Sequence, residues 1–421
     1  MSTFTLLTQT YPPDPAAVGQ HMADLAAGLV QRGHTVNVIT SARGYDDPSR
    51  IYPASEMRDG VAVHRLGGSS FGKKSLAHRI AGVAGFAAQS SWMVLTRTSP
   101  DALIFSTSPP LIGVVARMLG WLGRTPTAFW AMDLNPDQLI ALGMIRPNGA
   151  SARTLEALNR FALAGPELVI ALDRFMERRL AVRNVVRGRL VVVPPWAPPE
   201  LSGETGSGSH VLQEDVAGSG FRREHGLADK FVVMYSGNHS PSNPLSTVLQ
   251  AAAQLRDDDR IRFLFVGGGV GKREVDEFRE RHQLRNVLSL PYQPKESLHE
   301  SLAAADVHVV SLGDAMVGII HPCKVYGAMA VGRPIFFLGP AESHVGDLLD
   351  GADIGVRVAH GDVDAAVLGI RRLAHLSAGD RAVMGAHAHA MVQGTLSTAA
   401  GVARIGELLE DLVTARPARI S

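Results

Sequence analysis

The chain has 421 residues, more than a single hydrophobic core ordinarily holds, so its length predicts two domains. Hydrophobic residues make up 46% of the sequence and charged residues 19%, a globular balance that argues against intrinsic disorder. The one cysteine, Cys323, excludes an intramolecular disulfide and fits a reducing compartment.

The net charge of +1 conceals an asymmetry between the two halves. Residues 1–199 contain 20 basic and 13 acidic side chains, whereas the remainder contains 21 and 27. A basic half is expected to face anions, either phosphates or a membrane surface. The first residues lack the basic leader of a signal peptide, and the apolar stretch 80–95 is interrupted by polar residues. We therefore expect a cytoplasmic protein without a membrane span.

The first half alternates short β-branched runs with helical patterns. Strands are predicted at residues 3–8 and 35–40, and the helical pattern between them ends at Gly33. Strands alternating with helices at this spacing predict a parallel sheet covered on both faces. Further strands are predicted at residues 102–106, 127–131, 168–172 and 190–193.

A second α/β pattern follows a break in the alternation. Residues 198–220 collect glycine, serine, proline and acids, which is typical of a linker or mobile loop. We predict one doubly wound Rossmann-like domain over residues 1–197 and another over 221–396, with residues 397–421 forming a helix that crosses back to the first. Ligands bind at the carboxyl ends of strands in such sheets, so we expect the domains to face each other across a cleft that holds the site.

Three loops in the second half place glycines directly after predicted strands, at residues 235–239, 266–272 and 318–324. Glycine lets a ligand approach the backbone, and a helix that begins there offers free N–H groups to phosphate. A plain turn is the alternative for each loop alone, but three such loops in one domain favour a binding site. The candidate donor contacts from these loops are Gly237, Asn238, Gly267, Gly268 and Gly318.

Other phosphate and metal motifs are incomplete. No GxGxxG run follows the first strand of either half, and Gly271-Lys272 is followed by Arg273 where a Walker loop has Ser or Thr. No His, Asp and Glu residues cluster at metal-ligand spacing, and the basic residues lack interleaved aromatic residues. We therefore predict no cofactor, no metal and no nucleic-acid partner.

Several segments spread over nearly the whole chain resemble one known family. They are residues 11–26 with 32–36, 106–111, 130–137, 192–196, 231–238 and 322–334 (PCKVYGAMAVGRP). Together they resemble glycosyltransferases of the GT-B fold, family 4, in the bacterial branch that builds capsule, exopolysaccharide (colanic acid type) or O-antigen units. The resemblance implies a nucleotide-sugar donor on the C-terminal domain and an acceptor on the N-terminal one.

The sequence departs from the family pattern at four positions. Most members carry Arg and Lys in the loop after the first donor-domain strand, where this chain has Asn238 and Asn243. The two family glutamates, eight residues apart, correspond to Ile319 and Gly327. A diphosphate leaving group gains charge as the glycosidic bond breaks, so its site needs positive charge, oriented donors or a metal.

Lys324 is the leading candidate for that charge and is predicted to be catalytic. It falls in the first turn of the helix that starts after Pro322, itself a candidate donor contact, where an ammonium and free N–H groups can converge on phosphate. A solvated lysine is the alternative. Gly327 lies one turn later, and a helical glycine costs roughly 1 kcal/mol relative to alanine. Close approach of the nucleotide or of a loop is one explanation, and plain helix packing is the other.

Four further residues are candidate donor contacts. Arg333 is either a second phosphate contact or a surface arginine in a turn. His321 and His344 are candidates for hydrogen bonds to sugar or phosphate, with ordinary structural histidines as the alternative. Glu342 is a weaker candidate, since an acid at a helix start also satisfies free N–H groups.

On the acceptor side, the resemblance points to Gly19 and His21 in the first helix, and Asp133 follows a strand. Asp133 is predicted to be catalytic, as an acceptor-hydroxyl contact or an electrostatic partner, with a turn-forming aspartate as the alternative. In retaining members of the family the departing phosphate oxygen can take the acceptor proton, so the absence of an obvious base is compatible with catalysis.

Residues 71–86 combine Lys73, Lys74 and Arg79 with an apolar helical pattern, typical of an amphipathic helix on an anionic membrane surface. An ordinary helix with solvated lysines is the alternative. With the family resemblance, this pattern predicts a polyprenyl-diphosphate-linked or other saccharide acceptor. It also predicts peripheral contact with the inner leaflet, on the cytoplasmic face of the membrane.

The leading hypothesis is a retaining, metal-independent glycosyltransferase of surface polysaccharide biosynthesis. It would move a sugar from a nucleotide diphosphate, with UDP as the first candidate, to a lipid-linked saccharide. One alternative is a non-catalytic GT-B partner subunit, and another is a sugar-nucleotide epimerase on the same fold. A nucleotide-dependent shift in melting temperature argues against the first, and the products of donor incubated without acceptor identify the second.

Overall fold

The computed structural model describes residues 1–14, 16–44, 47–68, 76–202 and 219–415. The chain divides into two compact units, each a doubly wound α/β structure, as predicted. The first unit comprises Met1–Pro195, Gly318–His321 and Ala399–Ser421, and the second Trp196–Val317 and Pro322–Thr398. Most of the predicted linker, residues 203–218, lies outside the described residues.

The first unit is built on an eight-stranded sheet. Its strands are β1 (Thr3–Leu7), β2 (Thr35–Ser41), β3 (Ser55–Arg58), β4 (Val61–Leu66), β5 (Ala102–Phe105), β6 (Thr127–Trp130), β7 (Leu168–Ala171) and β8 (Arg189–Val192). The strand order is β3-β4-β2-β1-β5-β6-β7-β8, and every pair is parallel except β3 with β4. The order reverses between β1 and β5, which creates a crevice at the carboxyl ends of the strands.

Six helices of the first unit cover this sheet. They are α1 (Ala17–Gln31), α2 (Leu76–Met93), α3 (Ile112–Gly123), α4 (Asp137–Ala141), α5 (Ala150–Leu163) and α6 (Arg174–Val182). The central strands are buried on both faces, so they read as continuous apolar runs such as Ala-Leu-Ile-Phe in β5. Helix α1 buries Met22, Leu25 and Leu29, a spacing that keeps one helical face on the sheet.

The second unit is built on a six-stranded, fully parallel sheet. Its strands are β9 (Phe231–Ser236), β10 (Ile261–Val266), β11 (Val287–Leu290), β12 (Val307–Ser311), β13 (Ile335–Leu338) and β14 (Gly355–Val358). The strand order is β11-β10-β9-β12-β13-β14, with the reversal between β9 and β12. The core on one side of the sheet includes Phe263, Phe265 and Phe336.

The helices of the second unit flank this sheet, and one further helix ends the described chain. They are α7 (Pro199–Ser202), α8 (Ser219–Glu224), α9 (Ser246–Gln254), α10 (Lys272–Arg281), α11 (Leu298–Ala303), α12 (Lys324–Ala330), α13 (His344–Gly351), α14 (Val363–His375), α15 (Ala378–Gln393) and α16 (Thr398–Thr414). Among the described residues, no helix combines the length and apolar character needed to cross a bilayer.

Four residues from the middle of the predicted second domain belong to the first unit, which corrects the predicted domain range 221–396. They are Gly318–His321, here called the inserted segment. Its backbone pairs with the chain that follows β6, because Leu134 N donates to Ile319 O at 2.8 Å and Ile320 forms a β-bridge with Asp133. Gly318 has φ of +67°, and a Cβ there would lie 2.6 Å from the carbonyl oxygen of Phe175. Backbone pairing thus holds the segment in the first unit.

Helix α16 packs on α1 through small residues and an ion pair. A Cβ on Gly28 would lie 2.1 Å from a methyl group of Val402, so only glycine allows this contact. The Glu410 carboxylate accepts hydrogen bonds from Arg32 Nε and Nη2 at 2.9 and 2.7 Å, and it lies 2.8 Å from His34 Nε2. These contacts hold the pKa of Glu410 at about 2, well below its ordinary value.

The variant Glu410→Gln is expected to weaken the attachment of α16. Removing the carboxylate should lower the free energy of unfolding by about 0.5–1 kcal/mol at pH 7, since the group is partly exposed. A depressed carboxyl pKa stabilises the folded state above the unfolded pKa, so the difference from wild type should shrink between pH 5 and about 2. Hydrogen exchange of the α16 amides measures this effect. Glu407→Gln, which breaks an exposed pair with Arg404, is the matched control and should leave exchange unchanged.

Candidate functional site

Lys324 opens α12 in the second unit, and its side chain lies against the loop that follows β9. Its Nζ is 5.3 Å from the centroid of the Tyr235 ring and 3.5 Å from Asn243 Oδ1. A Cβ on Gly237 would be 2.8 Å from Lys324 Cε, so the glycine makes room for the lysine. Among the described residues no carboxylate lies within ion-pair distance of Lys324. Burial lowers the pKa of Lys324 to about 8.

Asn243 fixes the position of this lysine, a role that the sequence did not reveal. Its Nδ2 donates to the carbonyl oxygen of Ser311, at the end of β12, at 2.6 Å, which leaves Oδ1 to accept from the Lys324 ammonium. The sequence analysis treated Asn243 only as a departure from the family pattern. No periodicity or spacing marks it, because its role depends on a strand end 68 residues later in the chain.

The N–H groups at the start of α12 are only partly available to a ligand. Val325 N donates to Pro322 O at 3.1 Å, and Tyr326 N donates to Cys323 O at 3.2 Å. The turn before the helix therefore uses two of the donors that were expected to converge on a phosphate. The Lys324 ammonium is the positively charged side chain at the start of this helix.

The loops after β9 and β10 pack directly on each other, and this packing explains their glycines. Gly237 N donates to Val266 O at 2.9 Å, and a Cβ on Gly267 would lie 2.1 Å from Gly237 O. Gly268 O accepts from His239 N at 2.7 Å, and Asn238 O accepts from the Tyr235 hydroxyl at 2.8 Å. Gly237, Asn238, Gly267 and Gly268 thus form one rigid platform at the carboxyl ends of the strands.

The two positions of the missing family glutamates have different surroundings. Ile319 is buried in the first unit as part of the inserted segment. A Cβ on Gly327 would be 3.7 Å from Leu302 Cδ1 and 4.0 Å from Leu201 Cδ1, which are ordinary contacts. The expected close approach of a neighbouring protein loop to Gly327 is therefore wrong, since the site has room for a methyl group.

The prediction that Arg333 contacts phosphate is contradicted by its position. Arg333 precedes β13, so it lies at the amino-terminal edge of the sheet, opposite the loops that follow β9 and β10. Its Nη2 donates to the carbonyl oxygen of Ala303 at 2.9 Å, which anchors the turn after α11. Arg333 thus lies in the helix-to-strand turn, as the alternative predicted, but it is half-buried rather than on the surface.

His344 and Glu342 lie beyond the carboxyl end of β13, on the same sheet edge as Lys324. His344 begins α13, whose first turn is capped by Ser343 Oγ accepting from Gly346 N at 3.2 Å. His344 Nε2 is 2.9 Å from the hydroxyl of Tyr326 in α12, which ties the two helix starts together. Glu342 is exposed beside them.

In the first unit, Asp133 and His21 lie near the end of β6. Asp133 is half-buried in the loop after β6, and burial raises its pKa to about 6. His21 is buried in α1 with its ring 6.2 Å from that of Trp130, the last residue of β6. Burial first, and His321 second, lower the pKa of His21 to about 4, so this imidazole is neutral at pH 7.

Gly19, two residues before His21, has a packing role. A Cβ on Gly19 would lie 2.9 Å from the carbonyl carbon and oxygen of Thr10, in the loop after β1. The glycine therefore lets the first turn of α1 approach that loop. The structure explains Gly19 without a ligand.

His321 belongs to the first unit, where Asp173 holds its imidazole. His321 Nδ1 is 2.8 Å from Asp173 Oδ2, and the imidazole is fully buried. The other oxygen, Asp173 Oδ1, accepts from Phe175 N and Met176 N at 2.9 and 2.8 Å and caps α6. An ionised Asp173 selects the tautomer with the proton on Nδ1, which leaves Nε2 as an acceptor. Sequence analysis missed Asp173, although an aspartate before a helix is a recognisable cap.

The described residues contain no group of three or more His, Cys, Asp or Glu side chains that could hold a metal ion. The first unit instead offers a carboxyl group of raised pKa and a neutral imidazole, and the second an ammonium beside a glycine platform. A carboxylate can accept a hydrogen bond from a hydroxyl, and an ammonium can neutralise a phosphate. Two doubly wound units with these groups at their strand ends have the features of GT-B glycosyltransferases.

Comparison with known families confirms this class. Residues 16–196 match the family described as Glycosyl transferase 4-like domain, and residues 230–375 match Glycosyl transferases group 1. The chain therefore belongs to the GT-B glycosyltransferases of the family 4 type, as its motifs predicted. One relative is WcaI of Escherichia coli (strain K12), which is named as a colanic acid biosynthesis glycosyl transferase. The two sequences are 27% identical over an alignment that covers 86% of this chain and 89% of the WcaI chain.

Solved structures share the fold over nearly the whole chain. Sucrose-phosphate synthase from Thermosynechococcus elongatus superposes with a TM-score of 0.75 at 17% identity, covering 99% of this chain and 100% of that one. Anabaena HepE in complex with UDP and glucose superposes with a TM-score of 0.70 at 17% identity, covering 98% and 100%. At this identity the likeness establishes the fold alone.

The variant Asp173→Asn separates the two roles of Asp173. Asparagine still caps α6 through its carbonyl oxygen, but its Nδ2 donates to His321 Nδ1 and moves the ring proton to Nε2. We expect near-wild-type stability, a tautomer change visible in the ¹⁵N spectrum, and a loss of turnover of about tenfold. Asp173→Ala, which loses the cap as well, should also be destabilised. An unchanged tautomer with unchanged turnover contradicts the positioning role.

Proposed function

We propose that this glycosyltransferase moves a sugar from a nucleotide diphosphate to a lipid-linked saccharide in surface polysaccharide biosynthesis, with retention at the anomeric carbon. The observation that carries the donor assignment is the Lys324 ammonium, held by Asn243 without a carboxylate partner among the described residues. The name of WcaI, a colanic acid biosynthesis protein, supports the polysaccharide assignment. The complex of HepE with UDP and glucose supports a UDP donor.

On the donor side, Lys324 supplies the charge that the departing nucleoside diphosphate needs. As the bond from the anomeric carbon to the phosphate oxygen breaks, negative charge accumulates on the diphosphate, and a positioned ammonium stabilises it. With a pKa of about 8, Lys324 is protonated in most but not all molecules at neutral pH. Binding of the anion raises that pKa, so donor binding is accompanied by partial proton uptake.

On the acceptor side, Asp133 is the group best suited to orient a sugar hydroxyl. The carboxylate accepts the hydrogen bond of that hydroxyl, whose oxygen forms the new bond to the anomeric carbon. In the retaining route the hydroxyl proton passes to the departing phosphate oxygen, so Asp133 orients the nucleophile without a net proton transfer. A carboxyl pKa of about 6 keeps most of the group ionised at pH 7.

The donor assignment is tested by thermal shift with UDP-, GDP-, ADP- and dTDP-sugars. A stabilisation of the protein by one nucleotide class, lost in Lys324→Met and reduced in Asn243→Ala, is the expected result. Lys295→Met, which removes an exposed lysine paired with Glu200 in the same unit, is the matched control and should retain the full shift. No shift with any donor favours the non-catalytic partner subunit. A donor-derived product without acceptor identifies an epimerase.

The pH dependence of kcat/KM is expected to be bell-shaped. The rate should fall below pH about 6 as Asp133 takes up a proton, and above pH about 8 as Lys324 loses one. Asp133→Asn should lower the rate and abolish the acid limb, because the amide does not titrate. Lys324→Arg should shift the alkaline limb upward, since a guanidinium stays charged. Initial rates across pH 5–10 measure both limbs, and an acid limb that persists in Asp133→Asn removes that residue from the proposal.

A further inference from the structure

Three neighbouring helices of the first unit expose an unusual set of large apolar side chains. Trp121 is 79% exposed, Trp92 68% and Leu122 58%. The chain has four tryptophans, and the other two, Trp130 and Trp196, are almost completely buried. Exposed indole rings are therefore found among the tryptophans of this part of the protein alone. Large exposed apolar side chains of this kind often mark a site of interaction.

These side chains lie on adjoining elements. Helix α3 packs against both α2 and α5. Met118, Trp121 and Leu122 are spaced three and four residues apart on α3, so they share one helical face. The Arg117 guanidinium lies 4.1 Å from the centroid of the Phe161 ring, which links α3 to α5. The tryptophan–arginine face is defined as Trp92, Leu95, Met118, Trp121, Leu122 and Phe161, each exposed, with the arginines around them.

The charge of this face has one sign. Helix α2 with its extension to residue 98, α3 with residue 124, and α5 contain six arginines and a single acid, Glu156. Four of the arginines are exposed, namely Arg97, Arg124, Arg153 and Arg160, whereas Glu156 is half-buried. An open groove beside Trp92 is lined in part by Leu66, Met93 and Arg97. The face therefore combines indole rings, aliphatic side chains and guanidinium groups with almost no competing carboxylate.

We propose that the tryptophan–arginine face docks the enzyme on an anionic membrane surface. Tryptophan is amphipathic and favours the headgroup region, while arginine buries its aliphatic stem and keeps its charge at the phosphates. Aromatic and aliphatic residues insert at the acyl boundary, and the arginines are attracted to anionic lipids. An apolar face surrounded by one sign of charge fits this partner better than a second copy of itself, because two such faces would repel.

This surface differs from the one that the sequence indicated. The expected amphipathic segment was residues 71–86, but Lys73 and Lys74 lie outside the described residues. The face defined here uses the end of α2 with its extension, α3, and Phe161 of α5. The inference rests on the proposed function in one respect, since a lipid-linked acceptor explains why the acceptor-side unit carries the face.

Intrinsic fluorescence and sedimentation with vesicles test the proposal. Wild-type protein is mixed with phosphatidylcholine vesicles, with and without phosphatidylglycerol. We expect co-sedimentation and a blue shift of tryptophan emission with the anionic vesicles only, both weakened by added salt. Trp92→Ser with Trp121→Ser should reduce vesicle binding by about tenfold, and Arg97→Gln with Arg124→Gln by a similar factor.

Matched controls and a second readout keep the result separate from folding and from donor binding. Leu368→Ser with Val383→Ser removes two exposed side chains, 66% and 55%, from the second unit and should leave vesicle binding unchanged. Every variant should keep the wild-type thermal shift with donor nucleotide. Absence of vesicle binding by wild type overturns the membrane proposal while an intact nucleotide shift leaves the proposed function standing. A concentration-dependent dimer abolished by the tryptophan variants, without vesicle binding, assigns the face to self-association instead.

Discussion

The ammonium of Lys324, half-buried and with no carboxylate within ion-pair distance among the described residues, is the constraint on which the proposed donor side depends. A charge in such surroundings is costly, as its lowered pKa shows, and the chain maintains it at the expense of stability. Three neighbouring residues accommodate the Lys324 side chain. Gly237 leaves room for its aliphatic stem, the Tyr235 ring lies beside its ammonium, and Asn243 Oδ1 accepts a hydrogen bond from its Nζ. A folded protein retains such an arrangement where an anion completes it.

The chain also links its two sets of functional groups by covalent sequence. The inserted segment belongs to the first unit, where Ile320 pairs with Asp133 and His321 is held by Asp173. Only Pro322 and Cys323 separate this segment from Lys324 in the second unit. Asp173 therefore holds a segment that ends immediately before Pro322, where the second unit resumes, since its Oδ2 contacts His321 and its Oδ1 caps α6.

The sequence predicted the elements whose evidence is local, and it failed where function depends on contacts between distant residues. The alternation of strands and helices was sufficient for two doubly wound units, and Lys324 stood out because a lysine at a helix start opposes the dipole. Arg333 was considered for phosphate because it follows the helix of Lys324 closely in sequence, whereas it precedes β13 and so lies at the opposite sheet edge. Asn243 and Asp173 were missed because their partners lie 68 and 148 residues away.

The structure shows where some of the excess basic residues of the first half lie. The basic half could have faced the nucleotide, but Lys324, the proposed diphosphate contact, lies in the acidic half. Six arginines of the basic half lie on α2 with its extension, α3 with residue 124, and α5, the helices that also carry the two exposed tryptophans. Opposite charge on the two halves then has a physical consequence at an anionic surface, because the first unit is attracted and the second repelled.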